Sequence, residues 1–307
     1  MPEKSLHKTR SRNFVLYLMM VPGLLYILIN NYLPMGGVFI AFKKINYSLG
    51  IFKSPWVQWR NFKFLFATPD AWIITRNTVL YNIVFLVMET VFGIIVAIML
   101  ADLRNQGLAR FSQAALLLPD LLSMVICSYI TFAFLSQENG MLNNTILPFF
   151  GLQPVSWYAE ERAWPVILTL VYLWLNIGTS AIIYLSSIVG INKALYESAD
   201  LDGATRWQKA VRITIPCIRP TIVTLLLLSI GGIFYSNFGL FYLIPQGSGM
   251  IHDVTATYDT YVYNALMKNN NIGMASAAGL FQSVVGFILV LIANKVTAKI
   301  DADNALF

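Results

Sequence analysis

The sequence predicts an all-α integral membrane protein with six transmembrane helices. Three observations carry that prediction. The chain is 57% hydrophobic and 12% charged, with a mean hydropathy of +0.64, which sets it apart from soluble globular chains. Six apolar runs, at about residues 14–40, 77–100, 111–135, 164–188, 221–245 and 273–295, stand out. Each reaches the roughly 20 residues that cross a hydrocarbon core of about 30 Å. The runs are also too long, and too rich in Gly and Pro, for strands of a membrane barrel, whereas helices satisfy their own backbone hydrogen bonds in lipid.

The first run follows the basic stretch KSLHKTRSR, a pairing that resembles a secretory leader. No small-residue cleavage site follows it. Asn30, Asn31 and Tyr32 come next instead, so the run reads as an uncleaved first span behind a tail of residues 1–13. In the next segment, WVQWRNFKFLF places Trp56, Trp59, Phe62 and Phe66 on one broad helical face flanked by Arg60 and Lys63. The pattern predicts a helix lying in the membrane interface. Its basic residues suit either lipid or an acidic ligand.

The spans hold two carboxylates, Glu89 in the second and Asp120 in the third. Ionisable groups at that depth are costly and often functional. A substrate or gating role and a hydrogen bond to a neighbouring helix both account for them. Residues 136–163 and 246–272 read as ordered loops and short helices, too short for a large external domain. Cys127 and Cys217 suggest neither a disulfide framework nor a metal site. In the sixth span, Ala275, Gly279 and Ser283 form a stripe of small residues that favours close helix contact, within the chain or with a partner.

Orientation follows from the basic residues. One side carries Lys4, Lys8, Arg10, Arg12, Arg104, Arg110, Lys193, Arg206, Lys209, Arg212, Arg219, Lys295 and Lys299. The other carries Arg162, Lys268 and a first loop with Lys43, Lys44, Lys53, Arg60, Lys63 and Arg76. Leaving that loop aside, the bias puts both termini, including a tail at 301–307, in the cytoplasm. The polar insert between the fourth and fifth spans lies there too.

That insert, residues 190–220, reads ESADLDGATRWQKAVRITIPCIRP from Glu197 onward. Asn192 is a good N-cap for a short helix from Lys193 to Leu201. Gly203 sits where a helix ends in positive φ. A second helix from about Ala204 to Thr214 is expected to stop at Pro216 and Pro220. The result is a bracket of two short helices, suited to docking into a groove on another protein.

The insert resembles the cytoplasmic signature loop of binding-protein-dependent ABC importer permeases. Glu197, Ala199, Asp202, Gly203, Ala204, Ile213, Pro216 and Pro220 fall at the positions of that pattern, with Ser198 in place of the usual second alanine. WVQWRNF, RNTVLYNIV, YDTYVYNALM and GMASAAGLFQSVVGFILVLIANKV are similar to the oligosaccharide and polysaccharide-fragment subgroup. The resemblance implies the MetI-like permease fold and a transmembrane domain over residues 14–300. It also implies a second permease, two ATPase subunits coupled through the bracket, an extracellular solute-binding protein, and an oligosaccharide moved by alternating access in a prokaryotic cytoplasmic membrane. No G-x-x-x-x-G-K-[ST] loop occurs, so the chain is expected to be non-catalytic. ATP and Mg would be bound by the partner ATPase, with no cofactor in this chain and no nucleic acid.

In the fifth span, Tyr235, Asn237, Phe238 and Tyr242 add aromatic faces and hydrogen-bonding groups of the kind that hold sugars. Trp174 and Asn176 in the fourth span are of the same type. Ordinary helix packing accounts for such residues as well. The rival to an importer subunit is a stand-alone ion-driven transporter. That class shows relay carboxylates and inverted repeats, and it leaves the bracket unexplained. A membrane enzyme would need a convergent cluster, but His7 and His252 fall on opposite sides. The basic first loop and net charge of +6 hint at acidic sugars, although lipid explains such charge equally.

Overall fold

The computed structural model describes residues 3–68 and 70–300, so the expected tail at 301–307 lies outside the described residues. The helices that organise the chain are α1 (Glu3–Ile27), α2 (Arg60–Ala67), α3 (Asp70–Ala101), α4 (Gln106–Leu117), α5 (Met124–Leu135) and α6 (Trp164–Val189). They continue with α7 (Lys193–Leu201), α8 (Arg206–Cys217), α9 (Arg219–Gly231), α10 (Tyr258–Met267) and α11 (Ile272–Ile300). Among the described residues there is no strand, only an isolated antiparallel bridge between Lys43 and Trp56.

Four stretches are helices long and apolar enough to cross a membrane: Leu16–Phe42, Asp70–Ala101, Glu161–Val189 and Ile272–Lys299. The other two expected spans are bent, and the count reaches six only when each bent pair is one span. α4 and α5 meet at 98°. Pro119 opens a 3₁₀ turn there, Leu122 is extended, and Ser123 restarts the helix by accepting from the Ile126 N–H. α8 and α9 meet at 62°. The continuous helix expected over 221–245 is also corrected. It ends at Gly231, and residues 232–238 are irregular before a single π turn, Gly239–Leu243.

Prolines leave a common mark. Four π turns occur among the described residues, at Leu28–Tyr32, Leu142–Ile146, Ala210–Thr214 and Gly239–Leu243. Each ends two residues before a proline: Pro34, Pro148, Pro216 and Pro245. In each, the residue before the proline donates its N–H five residues back. A proline within a helix removes one hydrogen bond and crowds the carbonyl four residues earlier; the wider turn accommodates the ring, and the helix runs on past Pro34, Pro148 and Pro216 but ends at Leu243 before Pro245.

α3 and α6 form the spine and run parallel. Phe85 stacks on Tyr172 with ring centroids 4.0 Å apart, and two turns further on Gly93 approaches Ser180 and Tyr184. One apolar cluster joins Tyr81, Phe85, Cys127, Trp164, Leu168, Leu240 and Ile244. A second, nearer the bracket, joins Ala97, Leu100, Tyr184, Leu185, Ile188 and Ile218. α4 closes on α6 at Gly178, where a Cβ would lie 2.0 Å from the Leu116 carbonyl oxygen. Both outward faces remain apolar and exposed, as lipid requires. The first span is the extreme case, with only 6% of its most apolar stretch buried.

The helix expected to lie in the membrane interface forms over Arg60–Ala67. It begins only at Arg60, after Gln58 at φ +50°, so Trp56 and Trp59 precede it. It packs along α11: Asn61 sits against Gly273, and Phe66 meets Phe281 edge-on at 5.1 Å.

Candidate functional site

The bracket forms much as its residues predict. Asn192 caps α7 by accepting from the Ala194 N–H at 3.0 Å. Gly203 takes φ +74°, and the Ala204 N–H closes back on the Ala199 carbonyl at 2.9 Å. Thr205 then caps α8 in a reciprocal box with Gln208. α8 starts later than expected and does not stop at Pro216. The π turn at Ala210–Thr214 carries it to Cys217, and only Pro220 stands at the start of the next helix. Lys209 pairs with Asp200 at 2.6 Å, and the Tyr196 and Thr214 hydroxyls meet at 2.9 Å, so the two arms hold a fixed angle.

Between the arms is an open hollow of about 340 Å³ lined by Ala199, Asp202, Gly203, Ala204 and Ile213 together with Gln208. Five of the eight signature positions therefore converge. Glu197 is exposed on α7, while Pro216 and Pro220 shape the helix ends behind the hollow. Leu201 and Trp207, next in sequence to the lining residues Asp202 and Gln208, are 90% and 77% exposed. Sequence reasoning passed over both, although two large apolar side chains in a polar insert were a visible signal.

A second constellation lies inside the bundle at the irregular segment 232–238. The helical ladder lapses there into turn bonds such as that of the Tyr235 N–H to the Gly232 carbonyl at 2.8 Å, and the backbone groups left over must be satisfied by other parts of the protein or by water in a cavity. Three side chains supply such partners. Asn82 of α3 donates to the carbonyls of Ile233 and Tyr235, each at 3.0 Å. Gln282 of α11, only 2% exposed, donates to the Phe234 carbonyl at 2.8 Å. Asp259 of α10 accepts from the Ser236 N–H at 2.6 Å and the Ser236 hydroxyl at 2.7 Å. None of the three was singled out from sequence; the signal was a lone amide within an otherwise apolar run.

The expected path residues are only partly brought together. Phe238 and Tyr242 stack at 4.9 Å, and Tyr263 of α10 completes a triad at 4.6 and 4.8 Å from them. Lys268 lies 5.4 Å over the Tyr242 ring and makes no ion pair among the described residues. Tyr235 instead pairs with the Ser283 hydroxyl at 2.8 Å, and Asn237 accepts from the Leu240 N–H. Trp174 is exposed on α6, Asn176 donates to the Tyr172 carbonyl of its own helix, and neither joins the triad. In the small-residue stripe, Ala275 is buried, but Gly279 faces open space.

Both span carboxylates, half-buried Glu89 and exposed Asp120, accept hydrogen bonds from α6. Glu89 accepts from the Tyr172 hydroxyl at 2.6 Å and from the Ser180 hydroxyl, and Asp120 accepts from Thr179 at 2.9 Å.

With this geometry in place, the comparisons agree with one another. Residues 89–301 match the family described as binding-protein-dependent transport system inner membrane component. The polygalacturonan/rhamnogalacturonan transport system permease protein YteP of Bacillus subtilis is 34% identical over 94% of this chain and 89% of its own length. Protein LplB of the same organism is 35% identical over 94% and 90%. A solved bacterial ABC transporter involved in import of the acidic polysaccharide alginate has a chain that superposes with a TM-score of 0.87. It is 32% identical and covers 97% of this chain and 99% of that one. A second alginate transporter structure, in complex with an alginate pentasaccharide-bound periplasmic protein, gives 0.85 at 31% identity over 95% and 97%.

Proposed function

The chain belongs to the family of binding-protein-dependent transport system inner membrane components, and from that premise we propose that it is the permease subunit of an ABC importer for oligosaccharides cut from acidic polysaccharides. The observation that carries the reading is the bracket: a rigid pair of short helices whose hollow gathers Ala199, Asp202, Gly203, Ala204 and Ile213, with Leu201 and Trp207 exposed on the same two helices. A partner ATPase, which would bind ATP and Mg, seats on this loop at 190–220. Glu197 lies at its edge, and Pro216 and Pro220 pass the motion to α9.

A second permease and an extracellular solute-binding protein complete the assembly. The membrane is the cytoplasmic membrane of a prokaryote. The excess of Lys and Arg beside the bracket and the N-terminal tail supports placing both on the cytoplasmic side.

Sugar released by the binding protein passes the Phe238–Tyr242–Tyr263 triad, and Lys268, which makes no ion pair among the described residues, offers its cation to a uronate carboxylate. The acidic class is supported by the alginate and polygalacturonan relatives. Tyr235, Asn237, Trp174 and Asn176 are second to the triad in this path, because three of the four are already engaged in hydrogen bonds.

The test is ATPase activity of the reconstituted complex, with the binding protein and either oligogalacturonate or a neutral arabino-oligosaccharide. Stimulation by the acidic sugar, lost in Gly203→Pro and kept in Gly203→Asn, supports the reading, because asparagine tolerates positive φ and proline does not. Equal stimulation by the neutral sugar overturns the acidic class. Full coupling in Gly203→Pro overturns the role of the bracket.

A further inference from the structure

The first loop holds a polar cavity separate from the aromatic triad and the bracket. Its volume is about 330 Å³. Lys44, Arg60 and Asn61 supply one side, and Asn269, Asn270 and Asn271, in the turn between α10 and α11, supply the other. No carboxylate lines it, and neither Lys44 nor Arg60 has an ion-pair partner among the described residues. It shares no residue with the aromatic triad or with the bracket.

The loop wall is built, not loose. The Lys44 N–H donates to the Pro55 carbonyl at 3.0 Å and the Val57 N–H to the Phe42 carbonyl at 2.8 Å. Neighbouring Lys43 is only 4% exposed and internally engaged. Its ammonium donates to the Ile51 and Phe52 carbonyls and lies 4.9 Å over the Trp56 ring. The Lys43 carbonyl in turn accepts from Asn61 at 3.0 Å. The structure thus satisfies one lysine completely and leaves the next one, with Arg60, free to face the cavity.

The same segment marks the depth. Trp56 and Trp59 are 64% and 67% exposed, beside exposed Tyr47 and Phe52. Exposed Trp and Tyr concentrate at the membrane–water interface. A carboxylate-free cavity at that depth, with two cations that make no ion pair among the described residues, matches the charge of an anionic phospholipid's phosphate in the outer leaflet. We propose that this cavity seats the phosphate of an anionic phospholipid such as phosphatidylglycerol, anchored by Lys44 and Arg60.

Native mass spectrometry of the whole transporter complex, delipidated and given phosphatidylglycerol, phosphatidylcholine or inorganic phosphate alone, tests this. The expected result is retention of phosphatidylglycerol over phosphatidylcholine, falling on the order of tenfold in K44Q/R60Q, since each basic residue near an anionic surface contributes appreciably. K44R/R60K keeps it. If the double variant does not assemble, K44Q alone serves, with a smaller fall expected. Lys53 and Lys63 are exposed cations of the same segment that do not line the cavity. An equal fall in K53Q/K63Q means a diffuse surface charge and overturns the site. Inorganic phosphate competing as well as the lipid overturns the lipid assignment. Unchanged lipid retention in K44Q/R60Q with weakened capture of the solute-binding protein gives the seat to that partner and also overturns it.

Discussion

Gln282 donates its side-chain amide to the Phe234 carbonyl at 2.8 Å, and this pair shows how an unwound segment persists inside an apolar bundle. Replacing Gln282 with Leu removes the donor and leaves a buried carbonyl unsatisfied, at about 1–3 kcal/mol. Asn82→Leu removes donors from two carbonyls, Ile233 and Tyr235, and is expected to cost more. Thermal unfolding of the purified complex checks both: each midpoint falls, Asn82→Leu further. An unchanged midpoint in both would mean that the 232–238 segment is not held by these amides.

Glu89 is the span carboxylate that would matter most to an ion-driven carrier. Here it accepts from Tyr172 and Ser180 and so ties α3 to α6. Both donors are hydroxyls, which can rotate to accept instead. Glu89→Gln is therefore expected to keep assembly and at least half of transport, whereas Glu89→Leu strands two hydroxyls and destabilises by about 2 kcal/mol or more. Uptake assays in proteoliposomes decide this. Abolished uptake in a folded Glu89→Gln complex would point to proton movement through this residue.

The spans were legible where hydrophobicity runs unbroken. The runs at 77–100, 164–188 and 273–295 each lie inside a helix that extends only slightly or by one or two turns beyond them. Hydrophobicity says how much chain sits in lipid but not whether it stays helical. The fifth run therefore hid a break, because the groups that replace its helical bonds, on Asn82, Asp259 and Gln282, are far away in sequence. Prolines misled for a related reason. Pro216 reads as a stop, yet the π turn before it lets the helix continue. The bracket was readable because its signals are local: Asn192, Gly203 and their spacing set its first helix and turn without help from the rest of the fold.

Gly178 marks the closest approach between α6 and α4. A methyl group there would sit 2.0 Å from the Leu116 carbonyl oxygen and 2.5 Å from its carbon, both backbone atoms that cannot swing aside. Gly178→Ala forces the helices apart, at about 1–3 kcal/mol or more, and shifts Thr179 away from Asp120. Gly279→Ala is the contrast, since nothing lies within 4 Å of its Cβ position. The yield of monodisperse complex in detergent is expected to drop sharply for the first and hold for the second. Equal yields would contradict the packing at Gly178.

Leu201 and Trp207 expose apolar side chains next in sequence to residues that line the bracket hollow, and at 90% and 77% exposure their loss disturbs little of the core. Surface changes away from packed features usually move stability by no more than about 0.5 kcal/mol, so Leu201→Glu and Trp207→Glu should leave the chain folded. In a docked interface a buried aromatic anchor commonly accounts for about 2 kcal/mol or more, and burying an unpaired carboxylate there is costly. Each variant is therefore expected to weaken ATPase capture at least tenfold while the permease keeps its thermal midpoint. Pull-down of the ATPase on the immobilised permease, run beside a melting curve, separates the two effects. Undiminished capture by both variants would move the docking surface off the mouth of the hollow and onto the outer side of α7 that carries Glu197.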